Sequence, residues 1–200
     1  MRKTVAICRY GAGNVRSVEL AFQRLGAELV DDVEAADLAV LPGVGSARTA
    51  MHGLRERGLD AVLRARTAPT LGICLGLQLA LEHTDEDGGV DGLALVPGRA
   101  VRVEAKRVPR IGWAHVEPLA GRAVGQAAGA RPANRLAFGE SGGDAYWFAH
   151  SYAAESPATT ATSEGLAAIV EHGAFTGVQF HPEKSGPAGA RFLERCLSRA

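Results

Sequence analysis

The chain has 200 residues, 46% of them hydrophobic, with 22 basic and 22 acidic side chains and a formal net charge of zero. That length buries one sizeable core and fits a single domain over residues 1–200. The balanced charge excludes binding to nucleic acid or an acidic membrane driven by bulk composition, and no apolar run approaches the roughly 20 residues of a membrane span.

The amino terminus reads "MRKTVAICRYG". Its basic start superficially suggests a secretion signal, but Thr4 to Cys8 is too short for the apolar region and no small-residue cleavage site follows. A cytoplasmic protein is expected. Lys3 to Cys8 predicts a strand, followed by the turn-like "RYGAGN". Val15 to Gly26 predicts a helix with Val15, Val18, Ala21, Phe22 and Leu25 on one face and Gly26 as its stop. Leu38 to Leu41 predicts a fully apolar strand ending in "PGVG", and Ala47 to Arg66 a helix weakened by Gly53 and Gly58. Thr70 to Ile73 predicts a further strand, and Leu75 to Glu82 a helix.

Apolar strands alternating with amphipathic helices predict an α/β fold, with a mostly parallel central sheet flanked by helices. The second half differs. Leu93 to Glu104, Tyr146 to Ala153, Leu166 to His172 and Phe175 to Phe180 read as strands with few helices between them, which predicts an added antiparallel portion. Pro187 to Arg199 predicts a closing helix with Phe192, Leu193, Cys196 and Leu197 on one side. Ala120 to Gly143 is rich in Gly and Ala without a period and predicts a loop.

The three cysteines, Cys8, Cys74 and Cys196, are odd in number and widely spaced. They form neither a disulfide framework nor a CxxC zinc pattern, and free thiols fit a reducing compartment. No metal or cofactor is expected. Cys74 alone has a chemical context. Gly72-Ile73-Cys74-Leu75-Gly76 is a G-x-C-x-G pattern between a predicted strand and a predicted helix. That is the setting of a nucleophile elbow, in which a sharp turn exposes the nucleophile and the flanking glycines make room for it. A helix beginning at Leu75 turns its positive end toward the sulfur and favours thiolate. The Leu75 N–H points where an oxyanion would form. The competing reading is a small buried cysteine between packing glycines.

A nucleophilic thiol needs a base. Of the six histidines, His181 ends an apolar strand in "GVQFHPEKSG", and strand ends are where sites collect in α/β sheets. Glu183 stands two residues on, across Pro182, placed to orient the imidazole as the third member of a triad does.

"GICLGLQLA", "GVQFHPEKSG", "LPGVGS" and "AHSY" closely resemble the class I (triad) glutamine amidotransferases. Within that superfamily, "YGAGNVRS", "LPGVG", "VPRIGW" and "HPEKSG" are similar to the glutaminase subunits of imidazole glycerol phosphate synthases, in histidine biosynthesis. The resemblance implies that Cys74 attacks the side-chain amide of glutamine, that His181 moves the proton, and that Glu183 orients His181. The oxyanion hole would use Leu75 with Gly43 and Val44, while Gln78, Ser151 and Tyr152 would bind glutamine. It also implies a separate (β/α)8-barrel cyclase subunit that accepts the ammonia in a heterodimer, with Asn14, Trp113 and Lys184 at the interface. The sequence departs from the family pattern at Arg9, Arg110 and Ala114, and the 120–143 stretch is longer than the family norm. Four readings remain open on the residues. One is the histidine-pathway glutaminase. The others are a triad glutaminase serving a different synthase, a non-catalytic interaction protein of the same fold, and a cysteine peptidase or general hydrolase.

Overall fold

The first apolar run forms β1 (Thr4–Ile7) and the helical period after it forms α1 (Val15–Arg24), in a computed structural model that describes residues 2–11, 15–105, 107–119 and 144–200. Val18 and Phe22 turn into the core as the period requires. Gly26 closes the segment at φ +79°, a left-handed conformation that costs glycine nothing. The predicted loop at 120–143 lies outside the described residues, as do Asn14 and Lys106.

The chain continues through β2 (Glu28–Val30), β3 (Leu38–Leu41), α2 (Ala47–Glu56) and α3 (Leu59–Ala65) to β4 (Thr70–Ile73) and α4 (Leu75–Ala80). The expected helix from Ala47 to Arg66 is therefore two helices. Gly58, at φ +67°, breaks it. Gly53 does not weaken it but permits close packing, since a Cβ there would stand 2.1 Å from the Tyr10 carbonyl oxygen.

The helix expected over Leu75 to Glu82 ends at Ala80, and Leu81–Thr84 is instead β5. Leu81 and Thr84 are both buried, and extended pairing with a second sheet covers them where one more helical turn would not. The next strands are β6 (Val90–Asp91), β7 (Val96–Arg102), β8 (Arg110–His115) and β9 (Glu117–Pro118).

The strand expected over Tyr146 to Ala153 is two, β10 (Ala145–His150) and β11 (Tyr152–Glu155). The chain leaves one sheet and joins another at Ser151. β12 (Thr159–Ser163), β13 (Leu166–His172), β14 (Phe175–Val178) and α5 (Gly186–Arg199) complete the fold.

The main sheet has eight strands in the order β2-β1-β3-β4-β14-β13-β12-β9. Neighbours from β2 to β14 run parallel, and the pairs from β14 outward to β9 are antiparallel. A four-stranded sheet, β11-β7-β5-β6, and a two-stranded ribbon, β8–β10, lie beside it. On one face Phe22 of α1 and Phe192 of α5 share a cluster with Leu71 and Ile73 of β4. On the other, Met51 and Leu54 of α2 share one with Leu41, Leu75 and Leu79. β4 pairs with β14 in the register Gly72↔Gly177 and Ile73↔Val178. Cys74 and His181 thus both emerge beyond the carboxyl ends of the central strands, where α/β sheets place ligands. Among the described residues no helix is long and apolar enough to cross a membrane.

Candidate active site

Cys74 sits at φ 53° and ψ −106°, a backbone conformation that side chains other than glycine rarely adopt. Glycine is required on both sides of it. A Cβ at Gly76 would stand 1.8 Å from the Leu41 carbonyl oxygen, and one at Gly72 would stand 2.5 Å from the Phe175 ring. The strand-to-helix turn is therefore wedged between β3 and β14. Cys74 is 6% exposed and borders a cleft. Cys8 and Cys196 differ: burial pushes each thiol up to about 12, as expected for inert packing residues.

His181 and Glu183 reach the same point. Nδ1 of His181 lies 2.9 Å from Glu183 Oε1, both side chains are 3% exposed, and the imidazole lies near enough to the Cys74 side chain to be influenced by it. Burial draws the imidazole pKa down. The polar interactions with Cys74 and Glu183, and their charges, more than reverse this and raise it to about 9. The base is held from behind as well. The backbone N–H of His181 donates to the Trp147 carbonyl at 2.8 Å. Ser185 Oγ donates to the His181 carbonyl at 2.6 Å while accepting from the Trp147 N–H at 2.9 Å.

The cleft, about 180 Å³, is lined by Val44, Gly45, Cys74, Leu75, Gln78, Glu86, Pro109 and the 149–152 segment. That volume is below the several hundred Å³ typical of drug-sized sites and suits a ligand the size of an amino acid. Leu75, Val44, Gln78, Ser151 and Tyr152 thus converge here. Gly43 lies behind the wall instead, where a Cβ would stand 2.6 Å from the Leu75 Cβ. Leu75 opens α4, so its N–H has no acceptor within the helix. Gln78 donates Nε2–H bonds to the Tyr152 carbonyl at 2.9 Å and to Gln179 Oε1 at 3.1 Å, which leaves its own carbonyl oxygen to offer a ligand.

Several contributors were not visible in the sequence. Glu86, from a short 3₁₀ turn, brings a carboxylate to the cleft. Burial holds it above the usual range, despite a bond from the Ala47 N–H, and the Asp87 charge adds to this. Tyr10 is buried and its hydroxyl donates to the Pro42 carbonyl, anchoring the "PGVG" segment. His150 is kept neutral, its pKa drawn down to about 4 by burial and by the charges of Arg110 and His181, against a raising bond to the Tyr152 carbonyl. Gln179 is fully buried beside Cys74. It did carry a signal, since period-two alternation puts residue 179 on the same side as residue 181.

The three departures from the family pattern find partners or packing in the structure. Arg9 pairs with buried Glu19. Arg110 stacks over Phe148, 4.3 Å from its ring centroid, and bonds Glu164 Oε2 at 2.9 Å and Ser163 Oγ at 2.9 Å. Ala114 packs against the main core. On the same ribbon Trp113 is 57% and Ile111 62% exposed, while Lys184 is exposed on the turn beyond the base.

Residues 6–200 match the glutamine amidotransferase class-I family model. The imidazole glycerol phosphate synthase subunit HisH of Pectobacterium atrosepticum is 40% identical over 96% of this chain and 98% of its own. That of Xylella fastidiosa is 42% identical over 96% of both chains. In shape, a solved glutamine amidotransferase superposes with a TM-score of 0.71 at 19% identity, covering 96% of this chain and 98% of that one. PurLQS from Thermotoga maritima reaches 0.69, at 17% identity over 99% of both chains. With a strained cysteine, its imidazole and a carboxylate at the ends of the central strands, and a family match across nearly its whole length, the chain belongs to the class-I glutamine amidotransferases.

Proposed function

We propose that this chain is the glutamine-hydrolysing subunit of an imidazole glycerol phosphate synthase, acting in the cytoplasm in histidine biosynthesis. The observation that carries the chemistry is the meeting of Cys74, on its wedged turn, with the His181–Glu183 pair. The Cys74 thiolate attacks the side-chain amide carbon of glutamine, and the oxyanion takes hydrogen bonds from the Leu75 N–H and from the Val44 segment. One such donor is worth about 3 kcal/mol in the transition state. His181, as imidazolium, protonates the departing ammonia and leaves a γ-glutamyl thioester. Water, deprotonated by His181, then releases glutamate and regenerates the thiol. Glu86 faces the α-ammonium of glutamine, which relieves the cost of its own burial, and the Gln78 carbonyl oxygen accepts from the same group.

Ammonia freed in water protonates and is lost, so the product must pass directly to a synthase partner. The relatives' names describe a subunit of a larger enzyme. Among the described residues the exposed large apolar side chains are Trp113, Ile111 and Val44; Trp113 and Ile111 lie on the same side of β8, an exposed apolar pair of the kind that interfaces bury. A (β/α)8-barrel cyclase is the partner proposed for that face, with Lys184, and with Asn14 outside the described residues.

The test is labelling with a glutamine-derived diazoketone, with glutamate release measured alone and with the histidine-pathway cyclase. Labelling at Cys74, lost in Cys74→Ala, with turnover raised by the cyclase, is expected. No labelling even with the cyclase would make this a non-catalytic subunit. Labelling without any response to the cyclase would point to another synthase, and cleavage of peptides or esters to a general hydrolase.

A further inference from the structure

We propose that Gln179 is a catalytic residue of this site, its side-chain amide N–H donating to the Cys74 sulfur and holding it as thiolate. The proposal rests on Cys74 being the nucleophile. Gln179 follows β14, is fully buried, and places Nε2 3.5 Å from Cys74 Sγ. Its backbone is pinned by an N–H bond to the Ala168 carbonyl at 2.9 Å.

An amide can present either its oxygen or its nitrogen, so the orientation needs a separate reason. Here it follows from a group that cannot be flipped. The Tyr152 carbonyl is backbone and accepts only. Gln78 must therefore turn its nitrogen toward it, 2.9 Å away. The same nitrogen lies 3.1 Å from Gln179, which must answer with oxygen. Gln179 is left with its N–H groups facing the sulfur. A flipped Gln179 would set oxygen against the thiolate and NH2 against NH2. His150 supports the first link, since its Nδ1 lies 2.9 Å from the same carbonyl while Arg110 Nη1 lies 3.4 Å from its Nε2. Arg110 only donates, so the imidazole proton sits on Nδ1 and points at Tyr152.

The consequence concerns charge. A thiolate at a site that admits little water needs donors, and the imidazolium of His181 is one. A donor that cannot lose its proton is different in kind. It favours the thiolate whether or not His181 is protonated, and it remains when His181 gives its proton to ammonia. Hydrogen bonds to ionised groups are roughly twice as strong as neutral ones. Losing this one lowers the thiolate fraction about tenfold, a shift of about one pH unit in its titration.

Three measurements test this. In the parent protein with its cyclase, Cys74 alkylation by iodoacetamide is followed against pH, and diazoketone labelling confirms that Cys74 is the nucleophile. Absence of that labelling would remove the functional reading itself, separately from this inference. In Gln179→Met the alkylation midpoint is expected to rise by about one pH unit and turnover to fall about tenfold or more, with KM for glutamine little changed. Gln179→Glu keeps an oxygen for Gln78 and sets another against the sulfur, so its midpoint should rise further. A parent that labels normally, beside folded variants with an unmoved midpoint, overturns the proposal. If both variants fail to fold, the parent still decides. The side-chain amide ¹⁵N–¹H signal of Gln179 should shift as Cys74 titrates and stay still in Cys74→Ala, and a signal that does not move would also overturn it.

Discussion

Two turns face each other across the cleft, and they are built on opposite plans. The turn after β4 carries Cys74, and each glycine beside it is hemmed by atoms closer than a Cβ tolerates. The turn after β3 carries "PGVG". Its first glycine is wedged against Leu75, but Gly45, at φ +103°, has nothing within 4 Å of where a Cβ would stand, and Val44 is 39% exposed. One turn is immobilised on all sides, and the other is tied down at its root by Tyr10 and open at its tip. A nucleophile must stay within about half an ångström of its productive geometry. A donor that serves only while the oxyanion exists is free to sit on a segment with room to rearrange. The contrast locates rigidity at the sulfur and freedom at the segment proposed to donate to the oxyanion.

The sharpest way to break this contrast is Gly76→Ala, whose Cβ would meet the Leu41 carbonyl at 1.8 Å. It should cost at least about 3 kcal/mol, lower Tm by roughly 6–12 °C, and abolish glutamate release. A stable, active variant would mean that the first turn is not wedged. Gly45→Ala should do the reverse. Alanine disfavours its left-handed backbone, and the open segment relaxes away from that conformation instead of straining the fold, so turnover should fall about tenfold while Tm moves by less than about 2 °C.

Tyr10→Phe removes the anchor from the Pro42 carbonyl. A loss of about 1 kcal/mol is expected, seen as a Tm lower by about 2–4 °C, with a smaller loss of turnover than in Gly45→Ala. A further prediction concerns pH. The folded pKa of His181 is raised from 6.5 to about 9, so its protonated form is the favoured one. Its contribution to stability is full below 6.5 and is lost as pH rises through about 9. Turnover should show its alkaline fall at the same point, where the acid for ammonia disappears. Gly45→Ala should leave that fall in place, whereas Glu183→Gln should move it down toward 6.5.

The central sheet and the triad were legible because their signals are local. Apolar runs such as Leu38 to Leu41, the glycines around Cys74, and the Pro182 step from His181 to Glu183 each lie within a few residues. What was illegible depends on distant pairing. Leu81–Thr84 looks helical until β7 is beside it, and the apolar run through Tyr146 and Ala153 hides a change of sheet at Ser151. Glu86 enters the cleft on a short 3₁₀ turn, with no motif to announce it. Tyr10 acquires its role only through the Pro42 carbonyl, which lies in another part of the chain.

The pairing of β4 with β14 has a consequence for how the activity matures. The sulfur is synthesised early and its imidazole near the end, and only the insertion of Phe175–Val178 beside Thr70–Ile73 brings them face to face. Closures across so much sequence are slow compared with helix or hairpin formation. A nascent chain that has not yet made Phe175–Val178 and His181 therefore holds a thiol without its base, and the chemistry waits for that strand to pair with β4.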